Sequence, residues 1–88
     1  MAEVEITPEA FAQLAQLPRP VQRRDRDVFV RLTQWPDVSG VKPLHGDLKG
    51  NYRIRTGNYR VVFRVRQQTE DMTVVIVWKI GYRGDVYD

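Results

Sequence analysis

An α+β fold is predicted by three features of the chain. A short alternating segment, Val4-Glu5-Ile6, opens it. Two stretches with apolar residues three and four apart follow, each ended by a proline. From Asn51 the apolar period changes to two and stays so almost to the end. The expected architecture is an N-terminal strand, a two-helix hairpin and a mostly antiparallel three-stranded meander. These form one twisted sheet in a single domain over residues 1–88.

Val4–Ile6 is read as an edge strand. Thr7-Pro8-Glu9 is a helix start: Thr7 can cap free N–H groups, Pro8 suits the first helical position, and Glu9 suits the positive end of the dipole. Phe11, Leu14 and Ala15 then define the buried face of a helix running to about Leu17, which Pro18 ends. Pro20 opens a second helix. Its core face is Val21, Val28, Leu32 and Trp35, and Pro36 closes it. Arg23, Arg24, Asp25, Arg26 and Asp27 are placed mainly on the solvated side. Residues 37–50, with Gly40, Pro43, Gly46 and Gly50, are read as mostly loop.

The strands of the meander are Asn51–Arg55, Tyr59–Arg66 and Thr73–Ile80. The last is apolar on both faces and therefore central. Gly57-Asn58 fits a two-residue type I′ or II′ turn. That turn pairs Arg55 with Arg60, Ile54 with Val61, Arg53 with Val62 and Tyr52 with Phe63. Directly opposed residues share a face. One face then carries Tyr52, Ile54, Tyr59, Val61, Phe63 and Val65 and belongs to the core, as do Trp35 and Trp78. The other carries Arg53, Arg55, Arg60, Val62 and Arg64. Opposing Arg55 to Arg60 costs up to about 1 kcal/mol in a sheet, a cost that makes sense if an anion lies over that face.

Composition narrows the chemistry. No cysteine is present, which excludes disulfides, thiolate metal sites and cysteine nucleophiles. One histidine, His45, excludes any two-histidine mechanism and is read as a surface loop residue. No carboxylate or histidine cluster suggests a metal, and no cofactor is expected. The longest strongly apolar run, Val74–Trp78, is far short of the ~20 residues that span a bilayer. The N-terminus has no signal-peptide pattern. A cytoplasmic protein with no membrane partner is expected.

Charge is segregated. Residues 1–41 carry 5 basic and 6 acidic side chains. Residues 42–66 carry Lys42, Lys49, Arg53, Arg55, Arg60, Arg64 and Arg66 against Asp47 alone. Such a block suits a polyanion.

The second half also resembles the RelE/ParE superfamily of toxins from type II toxin–antitoxin systems. The likeness is carried by Val41-Lys42-Pro43-Leu44 with His45-Gly46, by Leu48–Arg55, by Gly57–Phe63 and by Ile80–Tyr87. The RelE-like branch is favoured. The resemblance implies a metal-independent endoribonuclease, an mRNA interferase, that cleaves mRNA on the ribosome by attack of the 2′-hydroxyl on the phosphodiester. It implies a cognate antitoxin from an adjacent gene, and mRNA and ribosomal RNA as further partners. The basic pair of that family falls on Arg53 and Arg55, its further arginines on Arg60 and Arg83, and its C-terminal tyrosine on Tyr87. Lys49 and Arg64 are added as RNA-binding residues. RelE itself has lysines where this chain has Arg53 and Arg55, and arginine does not deprotonate at neutral pH. The proton acceptor is therefore left to Lys49 or Tyr87. The alternatives are a ParE-like inhibitor of DNA gyrase without nuclease activity, and an inactive remnant that only grips nucleic acid.

Overall fold

The computed structural model describes residues 1–84. The chain runs β1 (Ala2–Ile6), α1 (Pro8–Ala15), α2 (Arg19–Leu32), β2 (Val41–Pro43), a 3-10 turn at Gly46–Leu48, β3 (Asn51–Thr56), β4 (Tyr59–Thr69) and β5 (Met72–Tyr82). One five-stranded sheet has the order β1-β5-β4-β3-β2. β1 lies parallel to β5, and every other neighbour is antiparallel. The expected α+β order is therefore observed, with β5 inside the sheet and β1 at its edge. The strand β2 is an addition. Its three residues sit in the Pro/Gly stretch, where a run so short carries no alternation to recognise. β4 is longer than expected because its ladder with β5 continues to Thr69, opposite Met72, and β5 is longer mainly because it runs on through Gly81 and Tyr82, opposite Arg60 and Tyr59.

The cap of α1 forms as anticipated: the Ala10 N–H donates to Thr7 Oγ1 at 3.2 Å. Its buried face differs. Ala10 and Leu14 are buried, whereas Phe11 is 63% exposed and Ala15 is exposed. An eight-residue helix presents barely two turns, so a rotation of one position satisfies the spacing equally well. Gln13 settles the rotation. Its Oε1 accepts the Ile80 N–H at 2.8 Å, where β5 runs on beyond its pairing with β1. The end of α1 tightens through Gln16 and Leu17 N–H groups bonding three residues back.

α2 stops at Leu32, before the expected Trp35. Thr33 Oγ1 bonds back to the Val30 carbonyl at 2.6 Å, and Thr33, Gln34 and Trp35 continue only as turns bonded three residues back. Trp35 still reaches the core and packs on Tyr52 and Phe63, with ring centroids 5.0 and 5.5 Å away. The main core joins both helices to one sheet face through Leu14, Val28, Leu32, Ile54, Val61, Phe63, Val75, Val77 and Ile80.

Two placements are corrected. Trp78 is not in that core. It belongs to a second small cluster with Leu44, Leu48 and Val62 on the opposite sheet face. A bulge is responsible: Val62 pairs with Lys79 and Phe63 with Val77, which leaves Trp78 as the extra residue. Asp25 is not solvated. It shares the inner face of α2 with Val21, Val28 and Leu32 and is completely buried.

Neither Asp25 carboxylate oxygen accepts a hydrogen bond of good geometry, and the nearby Thr56 hydroxyl is likewise unsatisfied. Burial pushes the carboxyl up to about 6, with Thr56 and Arg24 pulling only partly the other way. The folded protein thus holds this proton more tightly than the unfolded chain, whose value is near 3.8. The associated stability is complete below about pH 3.8 and is lost as pH rises through about 6. Asp25→Asn is expected to flatten that dependence and raise stability at pH 7 by on the order of 2 kcal/mol. Urea midpoints for both proteins at pH 4, 5.5 and 7 measure it. Parallel pH curves would show that Asp25 does not titrate in this range.

Candidate nucleic-acid interface

The β3–β4 hairpin has the register that its turn requires. Arg55 is opposite Arg60, Ile54 opposite Val61, Arg53 opposite Val62 and Tyr52 opposite Phe63. Gly57 has φ +68°, and no non-glycine residue in the described chain has positive φ. Of the two candidate turns this selects type II′, in which only the first central residue needs positive φ. The same alternation that sends Ile54, Val61 and Phe63 into the core sends Arg53, Arg55 and Arg60 to the other face.

Neighbouring strands extend that face. Lys42 is opposite Arg53, and Val62 is opposite Lys79, so one row crosses four strands as Lys42, Arg53, Val62 and Lys79. The next row is Arg55, Arg60 and Gly81. Beyond it the Arg83 N–H donates to the Asn58 carbonyl at 2.8 Å, carrying the β4–β5 ladder around the turn. Alternation along β5 places Lys79 and Gly81 on one side, and Arg83 follows the end of that strand. Directly opposed Cβ atoms lie about 4.5–5.5 Å apart, which sets Arg55 and Arg60 side by side.

These groups differ in how firmly they are held. Arg53 is 5% and Arg60 3% exposed, whereas Arg55, Arg64, Arg83 and Lys49 are exposed. Arg60 Nη1 donates to the Tyr59 carbonyl at 3.2 Å and the Gly57 carbonyl at 3.4 Å, which orients its guanidinium across the turn. Arg53, Arg55 and Arg60 all have interaction partners. A buried, oriented guanidinium acts in a lower dielectric than water and needs little reorganisation to meet an anion.

The other nominated residues are more scattered. Arg64 shares the outer face but lies four residues along β4 from Arg60, about 13 Å away. Its row runs through Ile76 to Glu5, and the row of Arg66 runs through Val74 to Glu3. Two of the seven basic residues of the block therefore sit nearer to the acidic edge strand than to the arginine pair. Lys49 follows the 3-10 turn, and His45 precedes it, exposed. Tyr87 lies outside the described residues. Among the described residues no three His, Cys, Asp or Glu side chains form a group that could hold a metal, and no helix is long and apolar enough to cross a membrane.

Sequence reasoning missed Lys42, Lys79 and Trp78 on this face. The one available signal was Val62, an apolar residue in an otherwise cationic alternation that needs a cover. Leu44, Leu48 and Trp78 supply it, and the indole Nε1–H donates to Asn51 Oδ1 at 2.9 Å.

The fold and this face together define a class: small α+β toxins of type II toxin–antitoxin systems. The chain belongs to the ParE toxin family of those systems, whose family description, ParE toxin of the parDE system, matches residues 4–87. It is similar to the toxin RelG of Mycobacterium tuberculosis, 33% identical over 46 residues. That alignment covers 52% of this chain and 49% of RelG, so it spans about half of the relative's length. Among solved structures, the RelBE2 toxin–antitoxin complex of M. tuberculosis matches with TM-score 0.77 and 25% identity, over 93% of this chain and 98% of that one. The archaeal RelE–RelB complex of Pyrococcus horikoshii matches with TM-score 0.72 and 27% identity, over 97% and 98%.

Trp78→Phe is expected to keep the outer cluster packed while removing the donor to Asn51, at a cost of about 1 kcal/mol. Asn51→Ala in the Trp78→Phe background should then cost only its remaining bond, which Asn51 Nδ2 donates to the Leu48 carbonyl at 3.0 Å. A double-mutant cycle by urea unfolding checks the coupling, and additive losses would show that the bond contributes nothing.

Proposed function

We propose that this toxin is a metal-independent endoribonuclease that cleaves mRNA on the ribosome in the cytoplasm and is silenced by a cognate antitoxin. The observation that supports this most is the pairing of two buried arginines, Arg53 and Arg60, with exposed Arg55 on one sheet face, and with exposed Arg83 just past the end of β5. In the proposed step the 2′-oxygen bonds to the adjacent phosphorus and the bond to the 5′-oxygen breaks. The products are a cyclic phosphate and a 5′-hydroxyl. The 2′ proton passes to Lys49 or Tyr87, and water donates a proton to the leaving 5′-oxygen. Charge grows on the non-bridging oxygens in the transition state. Arg60 and Arg83 neutralise it there more than in the ground state, while Arg53 and Arg55 position the phosphate.

A second reading follows from the family description itself, which is that of ParE: inhibition of DNA gyrase by protein binding without nuclease activity. Two assays separate the readings. Primer extension on mRNA in a purified translation system detects cuts, and a supercoiling assay detects gyrase inhibition.

Arg83→Ala is the cleaner test, since its side chain is exposed. It should lower the cleavage rate about a hundredfold or more with the melting temperature unchanged. Arg60→Ala should be at least as damaging to cleavage. Its hydrogen bonds across the turn also require a parallel measurement of stability. Wild-type rates in both folded variants would place the chemistry elsewhere. Cleavage should also persist under chelation when the magnesium that ribosomes need is controlled separately. Activity lost with EDTA and restored by trace manganese would overturn the metal-independent step.

A further inference from the structure

All five basic residues of the first 41 positions, Arg19, Arg23, Arg24, Arg26 and Arg31, lie on α2, and all five are exposed. The acidic residues that balance them in sequence are elsewhere. Glu3 and Glu5 are on β1, Glu9 opens α1 and Asp37 is in the following loop. Asp25 is turned into the core, leaving Asp27 as the exposed acid of this helix. The solvent face of α2 therefore carries five arginines against one aspartate, a net +4, although residues 1–41 as a whole are slightly acidic.

At 100° per residue the charged side chains around that face come in the order Arg26, Arg19, Arg23, Asp27, Arg31, Arg24, with exposed Val30 between Arg19 and Arg23 and Pro20 between Asp27 and Arg31. Each flank opens on a groove. One, at the junction with α1, is lined by Arg19, Gln22, Arg23 and Arg26. The other is lined by Arg24, Asp27, Arg31 and by Arg55, Thr56 and Gly57 of the hairpin. β2 pairs with β3 at residues 52–54, so Arg55 lies just past the end of that pairing. The second groove thereby joins the α2 face to the arginine pair on the far side of the sheet.

We infer that the solvent face of α2 is a second RNA-backbone surface, which grips structured RNA outside the strand being cleaved. The inference rests on the reading of the outer sheet face as an RNA site. The chemistry favours phosphate. Arginine's planar fork suits phosphate oxygens, and all five cations are arginines. The positive charges recur every ~4.5–6 Å along the helix, a spacing that a backbone with a phosphate every ~3.4 Å per strand can follow.

The test uses the full chain and a labelled RNA hairpin that is bound but not cut. Arg19→Gln, Arg23→Gln and Arg26→Gln are combined in one variant, with the same three positions changed to Lys as a control. The Gln variant should bind the hairpin at least ~tenfold more weakly at 0.1 M salt, with a salt slope flatter by about 2. The Lys variant should keep most of the wild-type slope. At saturating ribosome concentration, mRNA cleavage in the purified translation system should keep its maximal rate in both, since none of the three lies on the outer sheet face. Unchanged hairpin affinity and slope in the folded Gln variant would sink the second surface while leaving the cleavage reading intact. So would a variant that binds RNA normally but loses affinity for polyglutamate, which would assign the face to an acidic protein. Wild-type protein that cuts no RNA yet shows the predicted loss on the hairpin would remove the nuclease reading and retain this one.

Discussion

The two-residue turn at Gly57-Asn58 governs this molecule. Because side chains alternate with a period of two, a slip of one residue in the β3–β4 register would send every core residue outward and every arginine inward. Gly57 at φ +68° admits a type II′ turn, and with it a single register. An added Cβ there would be strained by its backbone and would meet the Arg24 guanidinium at 3.2 Å. Core and cationic face are thus two results of one constraint.

The hairpin then recruits the rest of the fold. Its inner face, with Tyr52, Ile54, Val61 and Phe63, is the surface on which the helices pack. Its outer face would be wholly cationic were it not for Val62. That valine is covered by Leu44, Leu48 and the bulged Trp78, so the loop before β3 is held over the sheet by a small hydrophobic cluster of its own. The bulge has a second effect. It brings Lys79 opposite Val62 and Gly81 opposite Arg60, so that the strand ends just before Arg83.

Burial divides the arginines by task. Arg53 and Arg60 are buried, and Arg60 is oriented by bonds to the carbonyls of the turn that positions it. Arg55 stands at the edge, where the outer face meets the groove to α2. A site of this kind holds fixed positive charge without depending on a titrating group. That fits stabilisation of a phosphorane-like transition state better than it fits proton transfer. In the proposed cleavage, the proton acceptor is accordingly a residue other than these arginines.

Much of this was legible in the chain because it depends on local rules. Thr7-Pro8 announces a helix start, Gly57-Asn58 dictates a turn, and a turn of two residues dictates which arginine opposes which. What remained hidden depends on distances across the fold. The rotation of α1 was decided by Gln13 reaching Ile80, 67 positions away in sequence. Trp78 was read as core because an apolar strand conceals a bulge, which appears only when β4 is laid beside it. Asp25 was read as solvated because four charged neighbours surround it in sequence, yet helix geometry sets it four residues from Val21 and three from Val28, on the buried stripe. The sequence by itself determined the elements, the hairpin register and the cationic character of one sheet face. Tertiary structure alone decided which charges from different elements share a surface, because adjacency between elements follows from packing and not from order along the chain.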